Sequence, residues 1–240
     1  MKKEAKDYII FPLDFPSIEA VKPYIQKLGG RIGMFKIGLE LFIQQGPAVV
    51  DTVREMSSAG IFLDLKLHDI STTVGRAMAR VAELGVDFVT IHSASSDKMI
   101  RAAVENAGKT KVFGVTLLTD NDADTVRAQG FKDKYTDNLN NLVKLRARKA
   151  LYNGCAGVIC SGKEAAVLKS KYGERCLTIT PGIRPKWSLT DGDDQKRIVT
   201  PAEAVQAGSD YIVIGRPIRD AKDQVHAAEK VAEEIENSLP

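Results

Sequence analysis

Ile61 to Thr73 reads IFLDLKLHDISTT, and its alternation decides the fold. Side chains on a strand alternate between faces, so Leu63, Leu65 and Leu67 share one side while Phe62, Asp64 and Lys66 share the other. The leucine side demands cover, which a solvated edge strand does not have. An aspartate and a lysine on the second side would be costly to bury singly but can neutralise each other when adjacent. His68 and Asp69 follow, adding a further acid where the strand ends. This stretch therefore reads as a covered strand that delivers charge to one end.

Working outward, eight short apolar segments recur, each followed by a turn and a helical pattern: Tyr8 to Leu13, Met34 to Ile37, Ile61 to Leu65, Phe88 to Ile91, Val112 to Val115, Gly157 to Ile159, Leu177 to Thr180 and Tyr211 to Ile214. The intervening helices are predicted over Ser17 to Leu28, Pro47 to Ala59, Thr73 to Leu84, Asp97 to Asn106, Asp137 to Asn153, Lys163 to Tyr172, Pro201 to Ala207 and Lys222 to Asn237. Several begin at a Ser, Asp or Thr able to cap amides, as Thr200 does before Pro201. Eight alternations over 240 residues, uninterrupted by a Pro/Gly/Ser-rich linker, specify an α/β chain folded as a single (β/α)8 barrel domain spanning residues 1–240. A doubly wound open sheet is the competitor, but it usually has fewer strands and often a glycine fingerprint after the first, where this chain has DFPS.

Polar residues gather at the carboxyl ends of these strands: Asp14, Lys36, Asp64 with Lys66, His92, Thr116 with Thr119, Arg184, and Gly215 with Arg216. In a parallel barrel those ends converge on one face, where such folds place their sites. Two exits suit a phosphate. IVIGRPI offers a glycine for close approach, amides at a following helix start and the Arg216 cation; TPGIRPKWSLTDGDDQKR carries Arg184 and Gln195 at the ends of a long polar loop whose length suits a lid.

Composition excludes other classes. The net charge is +3 from 34 basic and 31 acidic residues, with 44% hydrophobic and 27% charged, and no basic block marks a nucleic-acid surface. No apolar run is long enough to cross a bilayer and no signal-peptide core precedes the first strand, so a soluble protein without membrane partners is expected. Cys155, Cys160 and Cys176 are odd in number and lack zinc spacing, which fits buried thiols in a reducing cytoplasm. His68 and His92 read as packing or supporting groups, and His226 as a solvated residue of the amphipathic last helix.

The motifs LDF at Asp14, FKIG at Lys36, DLKLHDI from Asp64 to Ile70, VTLLT ending at Thr119, PGIRP at Arg184, DDQKRIVTP at Gln195 and YIVIGRPI at Arg216 resemble those of the bacterial orotidine 5'-monophosphate decarboxylases over nearly the whole chain. The resemblance implies a homodimeric barrel that converts orotidine 5'-monophosphate to uridine 5'-monophosphate and carbon dioxide in pyrimidine biosynthesis, without metal or cofactor. It implies that Lys66 is the proton donor in an array with Lys36, Asp64 and Asp69, and that Asp69, Ile70 and Thr73 reach the neighbouring subunit's site. Asp14 and Lys36 would hold the ribose, Thr119 the pyrimidine, and Arg184, Gln195, Gly215 and Arg216 the phosphate. Ser71-Thr72 stands where the family usually has Pro-Asn or Gly-Asn, and Ser95-Ser96 where a glycine pair is common, which bears on the path from Asp69 to Thr73 and on the turn after the fourth strand.

Three rivals share parts of the pattern. A Schiff-base aldolase also uses a lysine at a barrel strand end, but needs a neutral amine, which flanking aspartates oppose. A metal-dependent sugar-phosphate lyase would share Asp-x-Lys-x-x-Asp and recruit His68, His92 and a carboxylate to Mg2+. A non-catalytic nucleotide-binding barrel would have no need of Lys66 and Asp69.

Overall fold

A computed structural model describes residues 3–188 and 199–239. Eight parallel strands close into a barrel in sequence order: β1 Ile9–Pro12, β2 Met34–Ile37, β3 Gly60–Leu67, β4 Phe88–His92, β5 Lys111–Val115, β6 Gly157–Ile159, β7 Leu177–Thr180 and β8 Tyr211–Val213. β8 pairs back on β1 through Ile9↔Ile212 and Ile10↔Val213, so no edge remains. The helices outside are α1 Ile18–Leu28, α2 Leu39–Gln45, α3 Ala48–Met56, α4 Ser71–Glu83, α5 Asp97–Glu105, α6 Ala123–Ala128, α7 Asp133–Thr136, α8 Leu139–Tyr152, α9 Gly162–Tyr172, α10 Pro201–Gln206, α11 Arg216–Arg219 and α12 Gln224–Glu236. Ser17 Oγ accepts from Ala20 N to start α1, and Thr200 with Glu203 forms a reciprocal cap ahead of Pro201.

All eight expected strands are present. The first begins at Ile9 and not Tyr8 because Ala5–Tyr8 forms a 3-10 turn. Four short helices were not expected: α2, α6, α7 and α11. Each has at most seven residues, too few turns for an apolar stripe to stand out. α4 starts at Ser71, two residues earlier than expected, so Ser71 and Thr72 are its first turn and not a loop.

Alternation along the strands divides the apolar residues between two cores. Leu63, Val89, Ile91 and Val158 face outward into the layer shared with the helices. Ile10, Met34, Phe62, Phe88, Phe113 and Ile179 fill the barrel interior, where Phe88 lies 4.8 Å from Phe113 and 6.2 Å from Phe62, centroid to centroid. Each buried phenylalanine contributes roughly 2–3 kcal/mol. The packing makes the interior solid below the middle of the barrel. Inward positions recur every second residue, so the next after Met34 is Lys36 and the next after Phe62 is Asp64: the charged residues stand one layer above the aromatic plug. Below that plug, the Lys3 ammonium lies 3.8 Å from the Tyr8 ring centroid and 3.7 Å from that of Tyr211, and donates to the Asp210 carbonyl. Gly157 is required where β6 meets β7, because a Cβ there would sit 1.9 Å from the Leu177 carbonyl oxygen.

Candidate active site

β3 supplies the centre of the site and departs from regular pairing to do so. Its partners on β4 run Phe62↔Phe88 and Leu63↔Val89, then jump to Leu67↔Ile91, so β3 carries two extra residues over that interval. The pairing register shifts over this interval, yet the expected alternation of side chains persists: Leu65 and Leu67 pack with Leu63 on the outer core, and Lys66 lines the same cavity as Phe62 and Asp64. Within the bulge Lys66 adopts φ +50°, the only non-glycine residue with positive φ among those described. That conformation costs on the order of 1 kcal/mol, and bulges commonly re-aim a side chain beside a site. Thr90 holds the distortion: its Oγ1 accepts from Lys66 N at 2.9 Å and donates to Asp64 Oδ1 at 2.8 Å. Nothing in the sequence around Thr90 singled it out.

Asp64 is the hub. Its Oδ2 accepts from Lys66 Nζ at 2.8 Å and lies 3.6 Å from Lys36 Nζ, which in turn lies 3.0 Å from Asp14 Oδ1. Only 9% of Asp64 is exposed. Burial is the largest influence on its carboxyl and pushes the pKa up, but Lys36, Lys66 and the bonds from Lys66 and Thr90 together hold it below the ordinary value of 3.8. Gly38 leaves room for the outer pair, since a Cβ there would lie 3.0 Å from Asp14 Oδ1 and 3.3 Å from Lys36 Nζ. His92 packs 5.3 Å from His68, and burial first, then His68, Lys66 and Arg146, hold its pKa below the usual value.

The array separates two cavities that share Lys36, Asp64, Pro181 and Val213 as walls. One, of about 170 Å³, is largely apolar, lined by Phe62, Val115, Leu117, Ile159, Cys160 and Ile179 together with Thr119 and Lys66. The other, of about 400 Å³, is cationic: Arg184, Arg216 and Arg219 line it with Gly182, Gly215 and Pro12. Arg219 and the apolar lining were not among the expected site residues. Arg184 is buried at 6% exposure and donates to the Ile183 carbonyl at 2.9 Å. Gly215 approaches β1 closely, a Cβ at this position falling 3.0 Å from Pro12 Cγ. Gln195 lies outside the described residues.

Asp69, Ile70 and Thr73 do not join the cleft of their own chain. Asp69 is exposed and accepts from Ile70 N at 2.6 Å, Ile70 is 72% exposed, and Thr73 is exposed on the first turn of α4. A larger groove of about 730 Å³ runs between α4 and α5, lined by Arg76, Arg80, Lys98 and Arg101, but it contains none of the strand-end groups, so the chemistry belongs to the cleft. Among the described residues no group of three or more His, Cys, Asp or Glu side chains is placed to hold a metal ion, and no helix is long and apolar enough to cross a membrane. All three cysteines are unpaired and buried; burial pushes the Cys155 thiol up to about 12 and Cys176 to about 11, with Cys160 also raised well above its usual value, so none is a ready nucleophile.

The chain is similar to known proteins over almost its full length. It is 44% identical over 236 residues to an orotidine 5'-phosphate decarboxylase of Desulfosudis oleivorans, covering 98% of this chain and 95% of that one. A Rhodopseudomonas palustris protein of the same name is 42% identical, covering 96% and 95%. The crystal structure of orotidine 5'-phosphate decarboxylase from Lactobacillus acidophilus superposes with a TM-score of 0.82 at 33% identity, covering 95% of this chain and 98% of that one. The family model for orotidine 5'-phosphate decarboxylase / HUMPS matches residues 7–231, and with relatives this similar over nearly its full length the chain belongs to that family.

Proposed function

We propose that this chain, acting as one barrel domain, decarboxylates orotidine 5'-monophosphate to uridine 5'-monophosphate in pyrimidine biosynthesis, with Lys66 as the proton donor. The observation that carries the reading is the Lys66 ammonium, 2.8 Å from a buried carboxylate, lining a largely apolar chamber that adjoins a cavity lined by three arginines. The chamber suits a flat pyrimidine, with Thr119 available to its polar edge. Arg184, Gly215 and Arg216 are assigned to the 5'-phosphate together with Gln195, while Asp14 and Lys36 between the cavities suit the ribose hydroxyls.

Breaking the bond from C6 to the carboxylate releases carbon dioxide and leaves the electron pair on a ring carbon with poor resonance relief. A cation fixed beside C6 stabilises that pair as it forms, and the same ammonium then supplies the proton that gives C6–H, recovering its own proton from water. Because Asp64 is bonded to Thr90 and lies beside Lys36, it gives the Lys66 ammonium a position set by the fold, which limits the reorganisation left for the reaction step. Phosphate contacts remote from C6 help to hold the reacting geometry, so a substrate lacking phosphate loses turnover as well as affinity.

The working unit in this reading is a homodimer. The partner subunit's Asp69, Ile70 and Thr73 would enter the cleft and complete the Lys36, Asp64, Lys66, Asp69 array. Their exposure in the single chain supports this, as do Leu39 at 47% and Ile43 at 79% exposure on α2, which follows the neighbouring strand. Three buried thiols fit a reducing cytoplasm. Asp64 engages both oxygens with Lys36, Lys66 and Thr90, which favours this reaction over a lyase that would commit the same carboxylate to a metal. The test is to follow loss of the orotate chromophore when purified protein meets orotidine 5'-monophosphate with a chelator present. Turnover supports the reading, and its absence in folded, dimeric protein refutes it.

A further inference from the structure

The exit of β5 leads into a long excursion, through α6 and α7, before α8 returns to the barrel wall. This excursion carries Leu117, Leu118 and Thr119, which close the apolar chamber. Its first residue, Thr116, is 1% exposed and tied to β6 by two bonds to the Ile159 carbonyl, from Thr116 N at 3.2 Å and Thr116 Oγ1 at 2.8 Å. The Thr116 carbonyl, directly before Leu117, accepts from Arg146 Nη1 at 2.6 Å. The same guanidinium, projecting from α8, lies 5.4 Å over the Phe131 ring between α6 and α7. Burial alone pulls this guanidinium below its ordinary pKa, and among the described residues no carboxylate pairs with it. A half-buried cation whose partners are a backbone carbonyl and a ring is committed to geometry. It ties the start of the excursion, at Thr116, and its middle, at Phe131, to α8 without lining the chamber itself.

We infer that Arg146 is a positioning residue for pyrimidine recognition, clamping the Thr116 carbonyl and Phe131 so that Leu117, Leu118 and Thr119 keep the base-binding wall in place. The inference rests on the decarboxylase reading, and its test separates the two. Arg146→Met keeps the stem and removes the planar fork, while Arg146→Lys keeps the charge with a single attachment point. Dissociation constants for uridine 5'-monophosphate, which has the base, and ribose 5-phosphate, which does not, are measured with kcat and KM for orotidine 5'-monophosphate. Arg146→Met is expected to weaken uridine 5'-monophosphate and raise KM by about tenfold, leaving ribose 5-phosphate within about twofold and kcat within about threefold. Arg146→Lys should fall between it and wild type. Equal weakening of both ligands, or no change in either, overturns the inference. If Arg146→Met does not fold, Phe131→Leu replaces it, with the same selectivity expected in smaller degree and its absence equally decisive. Wild-type protein that binds neither ligand would instead overturn the decarboxylase reading.

Discussion

Replacing Asp64 by asparagine preserves shape and the acceptor for Thr90 Oγ1, yet removes the one carboxylate oxygen that faces both Lys66 at 2.8 Å and Lys36 at 3.6 Å. At an effective dielectric constant of about 20, these attractions have gross values of roughly 6 and 5 kcal/mol. Most of that sum offsets the cost of burying the carboxylate, which is why burial heads the influences on its pKa. Removing one partner, however, leaves the others stranded, and breaking such buried pairs costs about 3–5 kcal/mol. In Asp64→Asn an amide donor would also face Lys66. For a chain of this size that corresponds to a fall in Tm of roughly 6–20 °C. The pH dependence has a definite sign. The Asp64 pKa is depressed below its unfolded value of 3.8, so its contribution is present above that pH and is lost as pH falls through the folded value. The stability gap between variant and wild type should therefore close below pH about 4. Turnover should drop by about 10²–10³, because the Lys66 ammonium loses its fixed position. Calorimetry across pH, beside the chromophore assay, measures both. A Tm within about 2 °C of wild type together with turnover within a few-fold would refute the argument that Asp64 organises the array.

Arg216→Ala should weaken the phosphorylated nucleotide by about 2–3 kcal/mol, little affecting a phosphate-free nucleoside, and equal losses for both would move the phosphate site elsewhere. Mixing inactive Lys66→Ala and Asp69→Ala chains should restore activity through one intact cleft per mixed dimer; no recovery, with mixed dimers shown to form, removes the shared site. At the closed end of the barrel, burial lowers the Lys3 pKa from 10.5 to about 8. The folded protein then releases this proton before the unfolded chain does, so stability should rise between pH about 8 and 10.5. Denaturation curves for Lys3→Met should be flatter over that window, and an unchanged slope would refute the assignment.

The barrel was legible because eight short apolar segments alternate with helical patterns, and closure follows when each segment must be covered on both faces. The array was legible because Asp64 and Lys66 stand at alternate positions on a strand whose other face is apolar. What stayed hidden depends on contacts between elements. Thr90 looks like any threonine within a strand until the β3 bulge places Lys66 N and Asp64 Oδ1 on its hydroxyl. Arg146 reads as one of several cations along α8, and only the path of the β5 exit brings the Thr116 carbonyl to it. The bulge itself has no glycine to announce it, since it places a lysine at positive φ. Arg219 was overlooked because its carboxyl neighbour Asp220, 2.6 Å from its Nε, makes it resemble a surface ion pair, although its side chain also borders the cationic cavity.

The most direct measurement compares single-turnover decarboxylation by wild-type and Lys66→Ala proteins at saturating orotidine 5'-monophosphate, with uridine 5'-monophosphate binding measured on the same samples. Loss of both the fixed charge and the proton donor predicts a rate at least about 10⁴-fold lower while product binding stays measurable. A Lys66→Ala protein that binds product and decarboxylates within about tenfold of wild type would contradict the account.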